Sequence, residues 1–157
     1  MKISLQEPVS EEIRKALDQH DDFIAHLLYH RGIETNKDAE EFIFPDYERD
    51  IHDPFLMLGM DVAVDRILEA IEKQEKIVVW SDYDTDGIPG GVLMHDLLEK
   101  VGANFTNYIP HRHNEGYGLN KEGITKLAKE GAKLLITVDS GITDVGEGKH
   151  ANELGLE

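Results

Sequence analysis

Three carboxylates fall at alternate positions in the run Ser81-Asp82-Tyr83-Asp84-Thr85-Asp86-Gly87. Acids this close repel one another, and the arrangement is costly unless a cation offsets the charge. A fourth acid, Asp139, lies in Thr137-Val138-Asp139-Ser140-Gly141. Each acidic stretch follows an apolar run of strand character, Lys76-Ile77-Val78-Val79-Trp80 in one case and Lys133 to Val138 in the other. Two strand-end loops of this kind can converge on one metal site, because open α/β sheets place their sites beyond the carboxyl ends of the strands. The chain has no cysteine, so a metal must be held by carboxylate or imidazole, which favours hard divalent cations.

Other chemistries fit the same residues less well. Asp82 to Gly87 matches the opening of an EF-hand calcium loop, but the twelfth position, where a bidentate Glu is needed, is Leu93. Asp82 and Asp84 also have the spacing of a nucleophile and an acid–base pair in haloacid-dehalogenase-like phosphotransferases, although Asp86 stands where Thr or Val is usual. A plainer reading makes the run an acidic turn capping the next helix, and three acids exceed what a cap requires.

The elements around these loops are legible from periodicity. Residues 1–60 read as short helices: one after Ser10 with Ile13, Ala16 and Leu17, one with Phe23, Leu27 and Leu28 on an apolar face, and one holding Ala39, Phe42 and Ile43. Gly32 is placed as a left-handed helix stop. Pro45, Pro54 and the acidic residues between them mark a turn-rich connection and a domain boundary near residue 60. Residues 61–157 then alternate. A helix from about Asp61 to Lys73 precedes the strand 76–80, a helix reaches Lys100, and a strand spans Asn104 to Ile109. A helix Lys121 to Glu130 and the strand Lys133 to Val138 follow. Strands separated by helices imply βαβ units, so the expected fold is α/β, a mainly parallel sheet with helices on both faces behind a short helical segment.

Lys+Arg 16 against Asp+Glu 32 gives a formal net charge of −16, which argues against broad binding of a polyanion by this segment alone. Carboxylates gathered round divalent cations are neutralised by them, so a phosphate at the site can still meet positive charge. No apolar run approaches the roughly 18 residues needed to span a bilayer, and the N-terminus lacks a basic stretch followed by an apolar one. A cytoplasmic location without membrane attachment is expected.

Four stretches together resemble RecJ-type single-strand exonucleases of the DHH phosphoesterase superfamily. Asp82-Tyr83-Asp84-Thr85-Asp86-Gly87 is similar to the family's first motif, and Thr137-Val138-Asp139-Ser140-Gly141-Ile142 to its second acidic motif, with Ser140 where Cys is often seen. Ile109-Pro110-His111-Arg112-His113-Asn114-Glu115-Gly116-Tyr117-Gly118-Leu119 resembles the P-x-R-x-x-E-G-Y-G-L segment, and Leu27-Leu28-Tyr29-His30-Arg31-Gly32-Ile33 the L-L-x-x-R-G-I of the helical part.

Carried over by position, the resemblance implies that Asp84, Asp86 and Asp139 are metal ligands central to catalysis, with Asp82 a further ligand or supporting acid. The cations would be manganese or magnesium, two in the complete enzyme. Arg112 is the candidate for contact with a substrate phosphate, and Tyr117 and Gly118 for further substrate contact. Trp80 stands where some DHH subfamilies place a ligand His. His111, His113, His95 and His150 are read as ordinary surface or helix residues. The activity implied is 5′-to-3′ hydrolysis of single-stranded DNA in repair and recombination, with single-stranded DNA and single-strand-binding or repair proteins as partners. The rivals are hydrolysis of short oligonucleotides, cyclic dinucleotides or pyrophosphate, and a non-catalytic RecJ-like binding module. The family's Asp-His-His motif is expected one strand beyond Asp139, whereas the sequence ends at Gly155-Leu156-Glu157. The chain is therefore expected to be the N-terminal part of a longer enzyme, and inactive by itself.

Overall fold

A computed structural model of the chain describes residues 6–157. It divides into two compact units, one ending at Leu56 and the other spanning Met57–Glu157.

The first unit is helical. Ser10 caps α1 (Glu11–Ala16) by accepting the Ile13 N–H, Asp21 caps α2 (Asp22–Tyr29) through the Ile24 N–H, and Thr35 caps α3 (Asn36–Ile43) through the Asp38 N–H. Leu17, Ala25, Leu28, Ile33 and Ala39 form its core. Gly32 adopts φ +78°, the left-handed stop its position suggests. Phe23 departs from the sequence reading, being 70% exposed. A helix turns about 100° per residue, so Phe23 points away from the face that Ala25 and Leu28 bury. The connection between Pro45 and Pro54 contains a short helix, α4 (Tyr47–Asp50), followed by a 3-10 turn at Pro54–Leu56.

The second unit is α/β. After α5 (Met60–Glu72) come β1 (Lys76–Ser81), α6 (Gly87–Lys100), β2 (Phe105–Tyr108), α7 (Lys121–Lys129), β3 (Ala132–Val138) and α8 (Val145–Glu153). The three strands are parallel in the order β2-β1-β3. β1 is central and buried on both faces, which is why its sequence is continuously apolar rather than alternating. Its side chains still alternate in direction. Ile77 and Val79 pack with Ala70 of α5 and Leu98 of α6, while Val78 and Trp80 pack with Ile124 and Leu127 of α7 and Ala151 of α8. Helices thus cover both faces. Beyond α8, the Glu157 N–H donates to the Lys133 carbonyl (3.0 Å) and its carbonyl accepts the Leu135 N–H (2.7 Å), so Glu157 pairs in parallel with the outer edge of β3.

Candidate metal centre

The connection after β1 runs through α6 on one face to β2, and the connection after β2 runs through α7 on the other face to β3, so the chain reverses its winding at β1. A crevice opens between the carboxyl ends of β1 and β3, where open α/β sheets place their ligands. The first residues past those ends are the acids.

Ser81 and Asp82 are 1% and 2% exposed, the buried polar residues of a core otherwise apolar. The Asp82 N–H donates to the Val138 carbonyl (3.3 Å), joining the two strand ends, and its Oδ1 has no hydrogen-bond partner. Asp84 and Asp139 are exposed at the surface of the same crevice, and ligand atoms of Asp82, Asp84 and Asp139 lie within 4.8 Å of one another. Asp86 is not in this group. It opens α6, is exposed, and makes no side-chain capping bond. Capping falls instead to Asp84, whose Oδ1 accepts the N–H groups of Asp86 (3.0 Å) and Gly87 (3.1 Å). Asp84 Oδ2 takes no part in those bonds. The turn is tight enough that a β-carbon at Gly87 would sit 2.5 Å from the Asp82 carbonyl oxygen.

The environment separates the two exposed acids. Bonds from the Gly87 and Asp86 N–H groups hold the Asp84 carboxyl below the usual carboxylate range. Loss of hydration, then the charge of Asp84, pushes Asp139 above it. The two exposed acids are thus pushed in opposite directions by their surroundings. Hard oxygen donors, a converging set of like charges and an orphaned carboxylate oxygen at Asp82 together suit a divalent cation.

The segment between β2 and α7 lies over this site. The Arg112 guanidinium sits 5.2 Å from the centre of the Tyr83 ring. Glu115, the neighbour with which Arg112 might have paired, is otherwise engaged: it accepts the Tyr108 hydroxyl and the His111 N–H (2.7 Å). The Tyr117 hydroxyl donates to the Asp139 carbonyl (3.0 Å). Gly118 packs on Asp144, whose Oδ2 accepts the Leu119 N–H (2.8 Å). An open cavity of about 540 Å³ lies between Tyr117 and the segment Thr137 to Thr143. Trp80 is directed away from the acids into the core beneath α7, stacked against Tyr108, and occupies no position in the acid cluster. His111 and His113 are exposed, and neither joins the cluster. Sequence reasoning passed over Tyr83 and Asp144. For Asp144 a signal existed, an acid directly before a helical stretch, but its partner Leu119 is 25 residues away.

A parallel α/β unit with carboxylates gathered at its switch point is an architecture that could hold a metal ion. Comparison with known proteins is specific: the description of the DHH family, N-terminal domain, matches residues 76–157, and the chain belongs to that family. It is 40% identical over 159 residues to the single-stranded-DNA-specific exonuclease RecJ of Bacillus subtilis, an alignment covering 100% of this chain and 20% of the relative. RecJ of Thermus thermophilus is 34% identical over 136 residues, covering 85% and 18%. The crystal structure of RecJ from Thermus thermophilus in complex with Mn2+ superposes with a TM-score of 0.59 at 27% identity, over 93% of this chain and 19% of that one. The chain therefore spans about a fifth of the length of the relatives it matches.

Proposed function

We propose that this chain supplies part of the metal centre of a DHH-family phosphodiesterase, and that the complete site hydrolyses single-stranded DNA from its 5′ end. The observation that carries the reading is the convergence of Asp82, Asp84 and Asp139 at the switch point, with Asp82 Oδ1 buried and unpartnered. Likeness to RecJ exonucleases supports the substrate, and the Mn2+ complex of the Thermus protein supports manganese, with magnesium as the chemically equivalent alternative. Asp82, Asp84 and Asp139 would hold the cation. Asp86 would act from the rim of the site, by charge rather than from within the cluster. A divalent cation there supplies Lewis-acid polarisation of a phosphoryl oxygen and a nucleophile at neutral pH.

The chain's own groups do the rest. Asp84 stays ionised because two backbone N–H groups support its charge, so it offers a carboxylate at any physiological pH. Arg112, held over Tyr83, meets a substrate phosphate as a charge-assisted donor, and Tyr117 with Gly118 lines the approach. The residues up to the 56–57 division act as a separate helical module. A cytoplasmic role in DNA repair and recombination, with single-strand-binding or repair proteins as partners, fits this reading. Among the described residues no helix is long and apolar enough to cross a membrane.

Three acids give few donors for two cations, and a net charge of −16 disfavours a polyanion, so by themselves the 157 residues should bind manganese weakly and release little nucleotide. The decisive experiment grafts this chain in place of the matching 159 residues of the Bacillus subtilis relative. With Mn2+ the chimera should release nucleotides from the 5′ end of labelled single-stranded DNA, and Asp84→Ala should abolish release. A folded chimera without activity, or with activity that survives Asp84→Ala, overturns the proposal.

A further inference from the structure

Asp139 is one of two non-glycine residues of the described chain with positive φ, at +58°. The left-handed region is open to Asp but disfavoured for any residue with a β-carbon, so something must hold the chain there. The need is acute at this residue. Asp139 follows β3 directly, and its carboxylate lies within 4.8 Å of ligand atoms of Asp82 and Asp84. A relaxed backbone at 139 would swing that carboxylate away and disperse the cluster.

What opposes relaxation is a brace built from another loop. The Tyr117 hydroxyl donates to the Asp139 carbonyl at 3.0 Å. Tyr117 is itself fixed from behind. Gly118 has φ +81° and lies so close to Asp144 that a β-carbon there would be 2.7 Å from Oδ2, the same oxygen that accepts the Leu119 N–H at 2.8 Å. Asp144 is anchored in turn by its N–H bond to the Gly141 carbonyl (3.0 Å). The links form a closed circuit: Asp139 to Gly141, Gly141 to Asp144, Asp144 to Leu119, and Tyr117 back to Asp139.

We propose that Tyr117 and Asp144 are positioning residues which hold Asp139 in its left-handed conformation and so keep its carboxylate in the metal cluster. The proposal rests on the metal-centre reading for its purpose, though the brace itself does not depend on it. It also gives the tyrosine between Gly116 and Gly118 a task that needs its hydroxyl and not only its ring.

The test uses conservative variants and two readouts. Tyr117→Phe keeps the ring and removes the donor; Asp144→Asn keeps the accepting oxygen, and Asp144→Ala removes it. On isotopically labelled chain, the Asp139 Cα and Cβ chemical shifts report its φ. Tyr117→Phe and Asp144→Ala should move them out of the positive-φ range, and Asp144→Asn should leave them in place. Manganese affinity, followed by the electron paramagnetic resonance of free Mn2+, should fall about tenfold in the first two variants and stay near wild type in the third. Unchanged Asp139 shifts in Tyr117→Phe would overturn the brace, since packing of the ring alone would then suffice. Shifts that move while affinity holds would overturn its positioning role. If the unaltered chain takes up no manganese, the metal-centre reading fails, and the Asp139 shifts still decide the brace.

Discussion

Gly123, in the first turn of α7, is a sharp test of how the site-bearing strand is seated. A β-carbon built there would lie 2.6 Å from Cη2 and 3.0 Å from Cζ3 of Trp80, and 3.0 Å from the Asn120 oxygen that caps the helix. Ordinary contact begins near 3.4 Å, and neither partner can yield cheaply. Trp80 is fully buried in the central strand, and α7 is pinned by Ile124 and Leu127. Overpacking of this kind costs about 1 to 3 kcal/mol, and the immobility of both sides places it at the upper end. Alanine recovers about 1 kcal/mol of helix propensity over glycine. Gly123→Ala should therefore lose about 2 kcal/mol net, lowering Tm by roughly 4 to 8 °C for a chain of this size. Gly148→Ala is the control. It lies within α8 with nothing within 4 Å of its added carbon, so it should gain about 1 kcal/mol and raise Tm. Trp80, the single tryptophan, gives a local fluorescence signal for thermal and urea unfolding. A Gly123→Ala chain as stable as wild type, beside a control that behaves, would mean that the contact between α7 and β1 is looser than the distances require.

Other expectations follow from the acids and the tyrosines. Because the Asp139 carboxyl titrates above its unfolded value, it favours the folded state only while protonated; with chelator present, stability from this group should be full below the ordinary carboxylate range and fade as pH rises through the raised folded value, and Asp139→Asn should stabilise the metal-free chain at neutral pH in thermal melts. Asp84 has the opposite sign, contributing above the ordinary carboxylate range and losing that contribution on acidification, so Asp84→Asn should flatten the acid limb. Burial and the bond to Glu115 push Tyr108 up to about 12, so its contribution persists below pH 10 and is lost between there and about 12; Tyr108→Phe should remove that alkaline step, followed by circular dichroism. In manganese titrations Asp84→Ala should weaken binding far more than Asp86→Ala, and equal losses would put Asp86 inside the cluster.

The parallel α/β architecture was legible because β1 is central: a strand covered on both faces is written as an unbroken apolar run, and helices of ordinary period separate it from its neighbours. The helical residues were harder. Phe23 has the type and spacing of a buried face, yet small Ala25 makes the core contact beside Leu28, and nothing local distinguishes the two choices. At the acids, the resemblance implied that Asp84 and Asp86 were ligands and Asp82 a further ligand or supporting acid. The strand period ends at Ser81 and α6 begins at Gly87, so the three diverge: one buried and unpartnered, one split between capping and the crevice, one on the rim. The brace was beyond reach, since its bonds join residues 22 and 25 apart in loops whose meeting depends on the completed sheet.

The pairing of Glu157 with β3 bears on how the crevice can be walled. On that side of β3 the next outward-facing backbone groups are those of Thr137, which among the described residues meet no strand. The bonds to Lys133 and Leu135 set the direction of the paired residue. Glu157 therefore lies in the same direction as β3, whose far end carries Asp139. The outer edge of the sheet thus has a polarity, and that polarity points toward the acids.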